Sequence, residues 1–506
     1  MSRRVSWLGG VSAVLLVFAL VFTMLPAAFA QDTTGGIKVY VKDKSGATIP
    51  NAQLELASTA LLGAKKGDTD SAGYYYFQAL PPGAYNLTVS APNFRTYKQT
   101  GIQLSVGKLP TIDVTLEIGS KAETIEVTGR SPLVDVTSVN VVVDIPQEVI
   151  DNIPKGRSYQ SLIPFAPGAR QEPLQSPRNN SGRNNGFQID GASDSENTYL
   201  VEGLDTSEIQ NGGIKQNVIF EFVQEVQVKT SSYQAEYGGA VGGVVNVIQK
   251  RGSNQWHGSL VAYYHPDAFD STDQCAVTPF ANTSEAPNTL SGQQIACGLR
   301  GNPATATDFN ARTDATPEYY HQKKDKYFTL EPGYEVGGPL FKDKLWLFSS
   351  YVPTIQRITR TVNFTGTNAG PHSFTTSYTA QNALNRLDYQ PFSKLHLFSS
   401  WQYGYSRVTG QLPATPDSTT GQVNTAAGTD PATIRSDTGD VYPSNIFNFG
   451  GDWTPNSHLL VSARYGYFFY NTEDRGKPSG SRFIYQNDLV ISNCTPTPPA
   501  TSCAST

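Results

Sequence analysis

Cysteine and methionine are scarce in this 506-residue sequence, with 4 and 2 residues. No cysteine pair stands at C-x-x-C spacing, which leaves out the usual thiolate zinc and thioredoxin-like motifs. The 6 histidines (His257, His265, His321, His372, His396 and His458) are scattered without metal-ligand spacing. There is no G-x-S-x-G elbow and no P-loop, so nothing in the residues argues for an enzyme, a cofactor or a metal. An excess of basic charge is missing too. The net charge is −5 and the pI about 5.8, which gives no nucleic-acid footprint. After residue 30 there is no long apolar run and mean hydropathy is −0.33, so helical membrane packing is excluded for the bulk of the chain.

Aromatics are plentiful, with 26 Tyr and 24 Phe, in short strand-like runs that point to a mostly β chain of several domains. Residues 1–30 read as an export signal. Arg3 and Arg4 begin it, Val11 to Leu25 form the apolar segment, and Ala28-Phe29-Ala30 is the cleavage site. Residues 31–118 read as a small β-sandwich. Ile37, Val39 and Val41 alternate with Lys38, Tyr40 and Lys42, and the same period of two recurs at Tyr85, Leu87, Val89 and at Ile112, Val114, Leu116. Asp68-Thr-Asp70-Ser-Ala-Gly73 begins like a calcium loop. Ala72 and Ala79 stand where oxygen ligands would be needed, so it reads as a turn in which Asp70 accepts from local backbone. The runs Gly46-Ala-Thr-Ile-Pro-Asn-Ala52 and Leu80-Pro-Pro-Gly-Ala-Tyr85 resemble the carboxypeptidase regulatory-like domain, whose fold is shared with carbohydrate-binding modules. No cluster of exposed Trp or Tyr marks a sugar site there.

The chain is organised around Tyr233–Ser259. Gly238-Gly239 and Gly242-Gly243 precede the β-branched run Val244, Val245, Val247, Ile248, and a Gly-Ser-Asn turn leads to Trp256. Paired glycines permit close backbone approach and the valines favour a buried strand. Tyr199-Leu-Val-Glu-Gly-Leu-Asp205 and Phe222-Val-Gln-Glu-Val-Gln-Val-Lys229 lie upstream. In that order these segments resemble the end of the plug domain of TonB-dependent outer-membrane receptors. Ala235-Glu-Tyr-Gly238 through Lys250 is most similar to the Oar-like branch. Thr230-Ser231-Ser232 replaces the Gly-Pro-x-Ser stretch of common plugs. The resemblance implies a plug over residues 133–252, an α+β domain, after a linker at 119–132.

In that linker, Glu123, Thr124, Ile125, Glu126, Val127, Thr128 and Gly129 resemble a TonB box, and a solvated linker or a sandwich edge strand explains them equally well. An extended segment can add as a strand to a partner sheet. Within the plug, Arg178, Asn179, Asn180, Arg183, Asn184 and Asn185 are candidates for an outward, ligand-facing loop, with a structureless loop as the alternative. Glu202, Asp205 and Glu208 read better as a polar plug wall against a barrel lumen than as a carboxylate site.

Residues 253–506 read as antiparallel hairpins with short turns at one end and long polar loops at the other, the pattern of an outer-membrane barrel. Turns are expected at Gly337–Lys344, Gln390–Lys394 and Thr454–Ser457. About seven to nine strands fit there, at 9–11 residues each. A barrel of about 8 strands is filled by its own side chains, whereas about 22 enclose a plugged lumen. The expectation is therefore an open sheet with an unpaired last edge, the N-terminal part of a larger barrel. Cys275 and Cys297 share the long polar stretch from His265 to Lys326. In an exported chain a disulfide between them is expected, worth on the order of 3 kcal/mol. Cys494 and Cys503 are a second candidate pair. The resemblance implies a receptor in the bacterial outer membrane with its sandwich in the periplasm. Its partners would be TonB, outer-membrane lipid and an external substrate such as a peptide, oligosaccharide or chelate, and no nucleic acid. The alternative is an adhesin or structural surface protein that holds sugar without transport.

Overall fold

The computed structural model describes residues 33–61, 63–119, 124–128, 141–171, 186–208, 213–233, 237–270, 274–277, 318–321, 324–364, 368–413 and 430–475. The N-terminal segment of eight strands runs β1 (Gly35–Asp43), β2 (Gln53–Ala57), β3 (Lys65–Asp68), β4 (Tyr74–Leu80), β5 (Gly83–Ser90), β6 (Thr96–Leu104), β7 (Thr111–Leu116) and β8 (Thr124–Thr128). They form two sheets, ordered β4-β1-β7 and β3-β2-β5-β6-β8. The period-two positions fill the space between them. Ile37, Val39, Val41, Leu87, Val89 and Val114 are all buried in one cluster, each worth about 1.5–3 kcal/mol of burial. Asp70 behaves as its sequence suggests, with its carboxylate accepting from the amides of Ala72 (2.8 Å) and Tyr74 (2.9 Å).

The middle domain comprises β9 (Val141–Pro146), α1 (Gln147–Asn152), β10 (Ala169–Gln171), β11 (Phe187–Ile189), β12 (Thr198–Val201), β13 (Leu204–Asp205), β14 (Val223–Ser231) and β15 (Val244–Gln249). Pro154 limits α1 to 6 residues, because the residue before a proline is driven out of the helical region. The five-stranded sheet is ordered β13-β12-β15-β14-β9, with β15 central and every one of its residues buried. The glycine pair before it is there for space. A Cβ at Gly243 would stand 2.6 Å from the Ile189 side chain, and one at Gly242 2.3 Å from Asn197 Oδ1.

The remaining strands are β16 (His257–Pro266), β17 (Gln274–Val277), β18 (Glu318–His321), β19 (Lys326–Phe341), β20 (Leu345–Tyr351), β21 (Thr354–Phe364), β22 (Gly370–Phe392), β23 (Leu395–Thr409), β24 (Gly439–Asn456), β25 (Leu459–Tyr470) and β26 (Glu473–Arg475). Nine of them make one antiparallel sheet. Its path is β16-β19-β20-β22-β23-β24-β25, with β21 joining β19 to β22 and β26 on β24. Among the described residues β16 and β25 each pair on one side only, so this sheet is open. The turns are tighter than the sequence suggested. Gly337, Gly338, Pro339, Gln390 and Pro391 continue strands, and the connections shrink to 342–344, 393–394 and 457–458. Glycine and proline usually punctuate strands, but here flanking ladder pairs such as Gly337↔Phe348 and Pro339↔Trp346 carry the register through them.

The two faces of this sheet are inverted relative to a water-soluble protein. One face carries Arg386, Asp388, Ser400, Gln402, Asn448 and Asp452, all buried against the middle domain. The other presents Leu387, Tyr389, Trp401, Phe449, Trp453 and Tyr465, all more than a third exposed. Cross-strand contacts such as Trp401 on Phe447 (centroids 6.1 Å apart) tie this aromatic surface together. An exposed apolar surface of this extent marks contact with lipid or another apolar partner. Phe348, Val352, Leu384 and Ile446 from the inner face join the middle domain's core, so the two pack as one body.

Candidate functional site

The site is the seat of the middle domain on the inner face of the sheet. It is built around Glu202. Glu202 and Gly203 form the two-residue turn between β12 and β13, with φ of 52° and 78°. That turn suits Asn-Gly or Gly-Gly, and a glutamate in the left-handed region is strained by about 1–2 kcal/mol. The position aims the carboxylate across the interface. Glu202 Oε1 lies 3.2 Å from Arg386 Nη1 on β22 and accepts from the Gln249 amide at 2.7 Å.

From Arg386 a chain of charged side chains, linked through His396, crosses four strands. Its Nε donates to Asp388 Oδ2 at 3.0 Å, and His396 Nε2 on β23 lies 3.0 Å from Asp388 Oδ1. Asp452 on β24 is 3.7 Å from His396 Nδ1 and accepts from Arg464 Nη2 on β25 at 2.7 Å. Phe398 lies beneath both guanidiniums, 4.5 Å from Arg386 and 5.2 Å from Arg464. Ions taken this far out of water need partners on every side, and removing one leaves the others uncompensated.

A second charged contact lies on the β19 side. Arg157 of the middle domain donates to Glu331 on β19 at 2.5 Å and to Glu221 of its own domain at 3.1 Å, and stacks over Tyr263 of β16 at 3.7 Å. Thr354 hydroxyl also donates to Glu331, at 2.8 Å. Burial opposes the Arg157 charge, but the two carboxylates outweigh it and its pKa stands above the ordinary arginine value. Lys250 pairs with Glu335 on β19 at 2.8 Å, and Lys215 pairs with Glu208 while lying over Tyr470 of β25. Gln249 Nε2 donates to Gln402 at 2.8 Å. Alongside these bonds, Gln249 Oε1, Asn246 Nδ2, Ser400 Oγ and Asn448 Nδ2 are buried without a partner among the described residues. Unpartnered polar groups weaken a contact and favour entry of water. The seat is thus strong at a few ion pairs and loose between them.

The sequence candidates fall unevenly on this geometry. Glu202 and Glu208 both take ion pairs in the wall between domain and sheet, and Asp205 accepts from the Ser207 amide (2.9 Å) to hold its own turn. Thr124–Thr128 form β8, the outermost strand of the sandwich sheet, paired in parallel with β6 from Thr96↔Thr124 to Thr100↔Thr128. Glu123, Gly129 and the loop residues Arg178, Asn179, Asn180, Arg183, Asn184 and Asn185 lie outside the described residues, as do Cys297, Cys494 and Cys503. Cys275 sits in β17 opposite Tyr320. Arg386, Asp388, Asp452 and Arg464 were not singled out from sequence. Their signal is charge on one parity of an aromatic-rich strand, as in Arg386 and Asp388 alternating with Leu387 and Tyr389.

A domain held by buried ion pairs on the polar face of an antiparallel sheet whose other face is apolar is the arrangement of a plug seated against barrel strands. Residues 36–117 match the carboxypeptidase regulatory-like domain and residues 132–244 match the TonB-dependent receptor plug domain. The chain therefore carries the plug of a TonB-dependent receptor behind a regulatory-like sandwich. It is similar to the TonB-dependent transporter Oar of Myxococcus xanthus, 30% identical over 348 residues, 67% of this chain and 28% of that protein. It is also similar to the ferrienterobactin receptor of Escherichia coli, 28% identical over 209 residues, 38% of this chain and 26% of that protein. The chain thus matches just over a quarter of the length of each of these relatives. Among solved structures, the outer membrane transporter YddB from Escherichia coli aligns with 16% identity and a TM-score of 0.43, over 64% of this chain and 38% of that one.

Proposed function

We propose that the protein is an outer-membrane receptor that binds an external substrate and admits it when TonB pulls on the plug. The observation that carries this is the seat itself. The plug is held to the inner face by a few ion pairs centred on Glu202–Arg386 and Arg157–Glu331, with unpartnered polar atoms between them. A polar interface of this kind can be shifted by force and reseated, because water replaces its bonds as they break. The apolar outer face then meets lipid, and the short turns lie on the periplasmic side with the sandwich beside them. Strand β8 is the segment TonB would grip. Among the described residues it pairs only with β6, and its other edge can accept a partner strand.

The test uses cells with and without the gene, supplied with a panel of ferric chelates, oligosaccharides and peptides. Depletion of one compound that needs the gene, TonB and the membrane potential is the expected result. Surface binding that persists without TonB and is never followed by depletion would overturn it in favour of adhesion.

A further inference from the structure

A cavity of about 770 Å³ lies between the sandwich and the short-turn end of the sheet and borders the plug seat at His396. Gln78 of the sandwich closes one side by donating to the Ser457 carbonyl at 2.5 Å. Five cations line the cavity: Lys65, Lys66, Arg251, Lys344 and Lys394. The single carboxylate among the lining residues, Asp343, already accepts from Asn254 at 2.6 Å. This concentration of positive charge stands out in a chain whose net charge is −5.

The cations differ in depth and in partners. Lys66, Lys344 and Lys394 are exposed at the mouth. Lys65 and Arg251 are deeper. Lys65 Nζ donates to the carbonyls of Gln78 (2.9 Å) and Ala79 (3.4 Å), not to a carboxylate. Arg251 has no hydrogen bond or ion pair among the described residues. Burial, with Arg386 nearby, pushes its pKa below the ordinary arginine value, and the carboxylates of Asp388 and Glu202, both engaged with Arg386, offset this only in part. Those carboxylates make no direct bond to Arg251, so its N–H donors are left for an anion in the cavity.

We infer that this cavity binds a phosphate-bearing organic anion. A guanidinium fork beside an ammonium suits phosphate oxygens. The volume lies in the range of about 300–1,000 Å³ typical of small-molecule sites and far exceeds one phosphate. The walls made by Tyr76, Pro391 and Phe392 can take the organic remainder. Two sources share this chemistry: a phospholipid headgroup at the membrane face, and a soluble phosphate ester. The cavity borders the seat through His396, and Arg251 and Lys65 feel its carboxylates, but binding of a phosphate probe is read without uptake and so is tested apart from the transport reading.

The experiment uses the full chain purified in dodecyl maltoside. One arm titrates glycerol 3-phosphate by calorimetry. The other measures retention of phosphatidylglycerol against phosphatidylcholine by native mass spectrometry. One saturable site for either phosphate probe is expected, weakened about tenfold by Arg251→Gln, as for loss of one charged hydrogen bond. The exposed pair Lys344→Gln with Lys394→Gln gives up one exposed bond, from Lys394 to the Pro455 carbonyl, and should weaken binding several-fold and flatten its salt dependence. Binding of phosphatidylglycerol without glycerol 3-phosphate identifies the lipid source, and binding of both identifies a site open to soluble esters. No binding of either probe, equal retention of phosphatidylcholine, or binding unchanged in both variants would overturn the inference.

Discussion

Glu202 of the plug and Arg386 of β22 lie 3.2 Å apart, both buried, and Glu202 reaches that position from a left-handed backbone at φ 52°. Strain at such a turn persists only when the surroundings hold it. Here the surroundings are the Gln249 amide and the Arg386–Asp388 pair.

Glu202→Gln keeps the shape and removes the charge. Arg386 then keeps only Asp388. The seat should lose about 3 kcal/mol, the lower end for a broken buried pair. Arg386→Met alone should cost as much or more, since it strands Glu202 and Asp388. The double variant should cost less than the sum by at least about 1 kcal/mol. Urea unfolding of the full chain in detergent, followed by tryptophan fluorescence, measures all three. Strictly additive losses would show that the two residues do not act as a pair.

The sandwich meets the plug at a second buried cluster. The Val106 amide donates to Glu225 Oε1 at 3.1 Å, and Gln227 donates to the Val106 carbonyl at 3.0 Å and to Asp144 at 2.7 Å. Burial pushes the Glu225 carboxyl from 4.5 up to about 8, and Asp144 adds to this while the Val106 amide and Lys108 oppose it. Asp144 is itself raised by burial, against Gln227, Lys108 and Lys229. Because the docked value lies above the ordinary one, docking takes up a proton. The stabilisation is full below about 4.5 and is lost as pH rises towards 8. Hydrogen exchange at the Val106 amide, corrected for intrinsic rate, should therefore show protection falling between pH 5 and about 8.5. Glu225→Gln should remove most of the fall over that window and leave only the part that the raised Asp144 contributes. A rise in protection with pH in the unsubstituted chain would contradict the assignment.

Much of this architecture is written in the period of the sequence. The alternation at Ile37, Val39, Val41 and at Tyr85, Leu87, Val89 became the two faces of the sandwich. The glycine pairs before Val244 became the entry to the central plug strand. Strand ends were harder to read, because Gly337-Gly338-Pro339 looks like a turn until its neighbour β20 supplies the ladder. The seat was half legible. Glu202 stands out beside Gly203, but its partner is 184 positions away and only the fold joins them. His396 looked isolated because its partners, Asp388 and Asp452, lie on the two strands flanking its own.

The outward face gives a prediction that separates lipid from water. Phe449 lies mid-strand on β24, 46% exposed, opposite Ser399 and Tyr465. Facing lipid, Phe449→Arg should cost about 2–4 kcal/mol near the bilayer midplane. Facing water, it should be neutral. Folding of the full chain into phosphatidylcholine vesicles, compared with folding in detergent, measures the difference. The neighbouring inward position Asn448 serves as control, since Asn448→Ser should behave alike in both media. Equal yields for Phe449→Arg and the unsubstituted chain in vesicles would mean that this face does not contact lipid.

Strand β8 carries the last prediction. It is outermost in its sheet and pairs in parallel with β6, with Val127 opposite Gln99. If TonB grips this segment by strand addition, Val127→Pro removes a backbone donor and fixes a residue that cannot continue a paired strand. Uptake of the substrate found in the depletion screen should stop, while its binding to the cell surface stays unchanged. Val127→Thr, which keeps the donor and the β-branch, should retain uptake. If Val127→Pro cells take up substrate normally, the segment is a sandwich strand with no part in coupling. If binding falls together with uptake, its role is in folding.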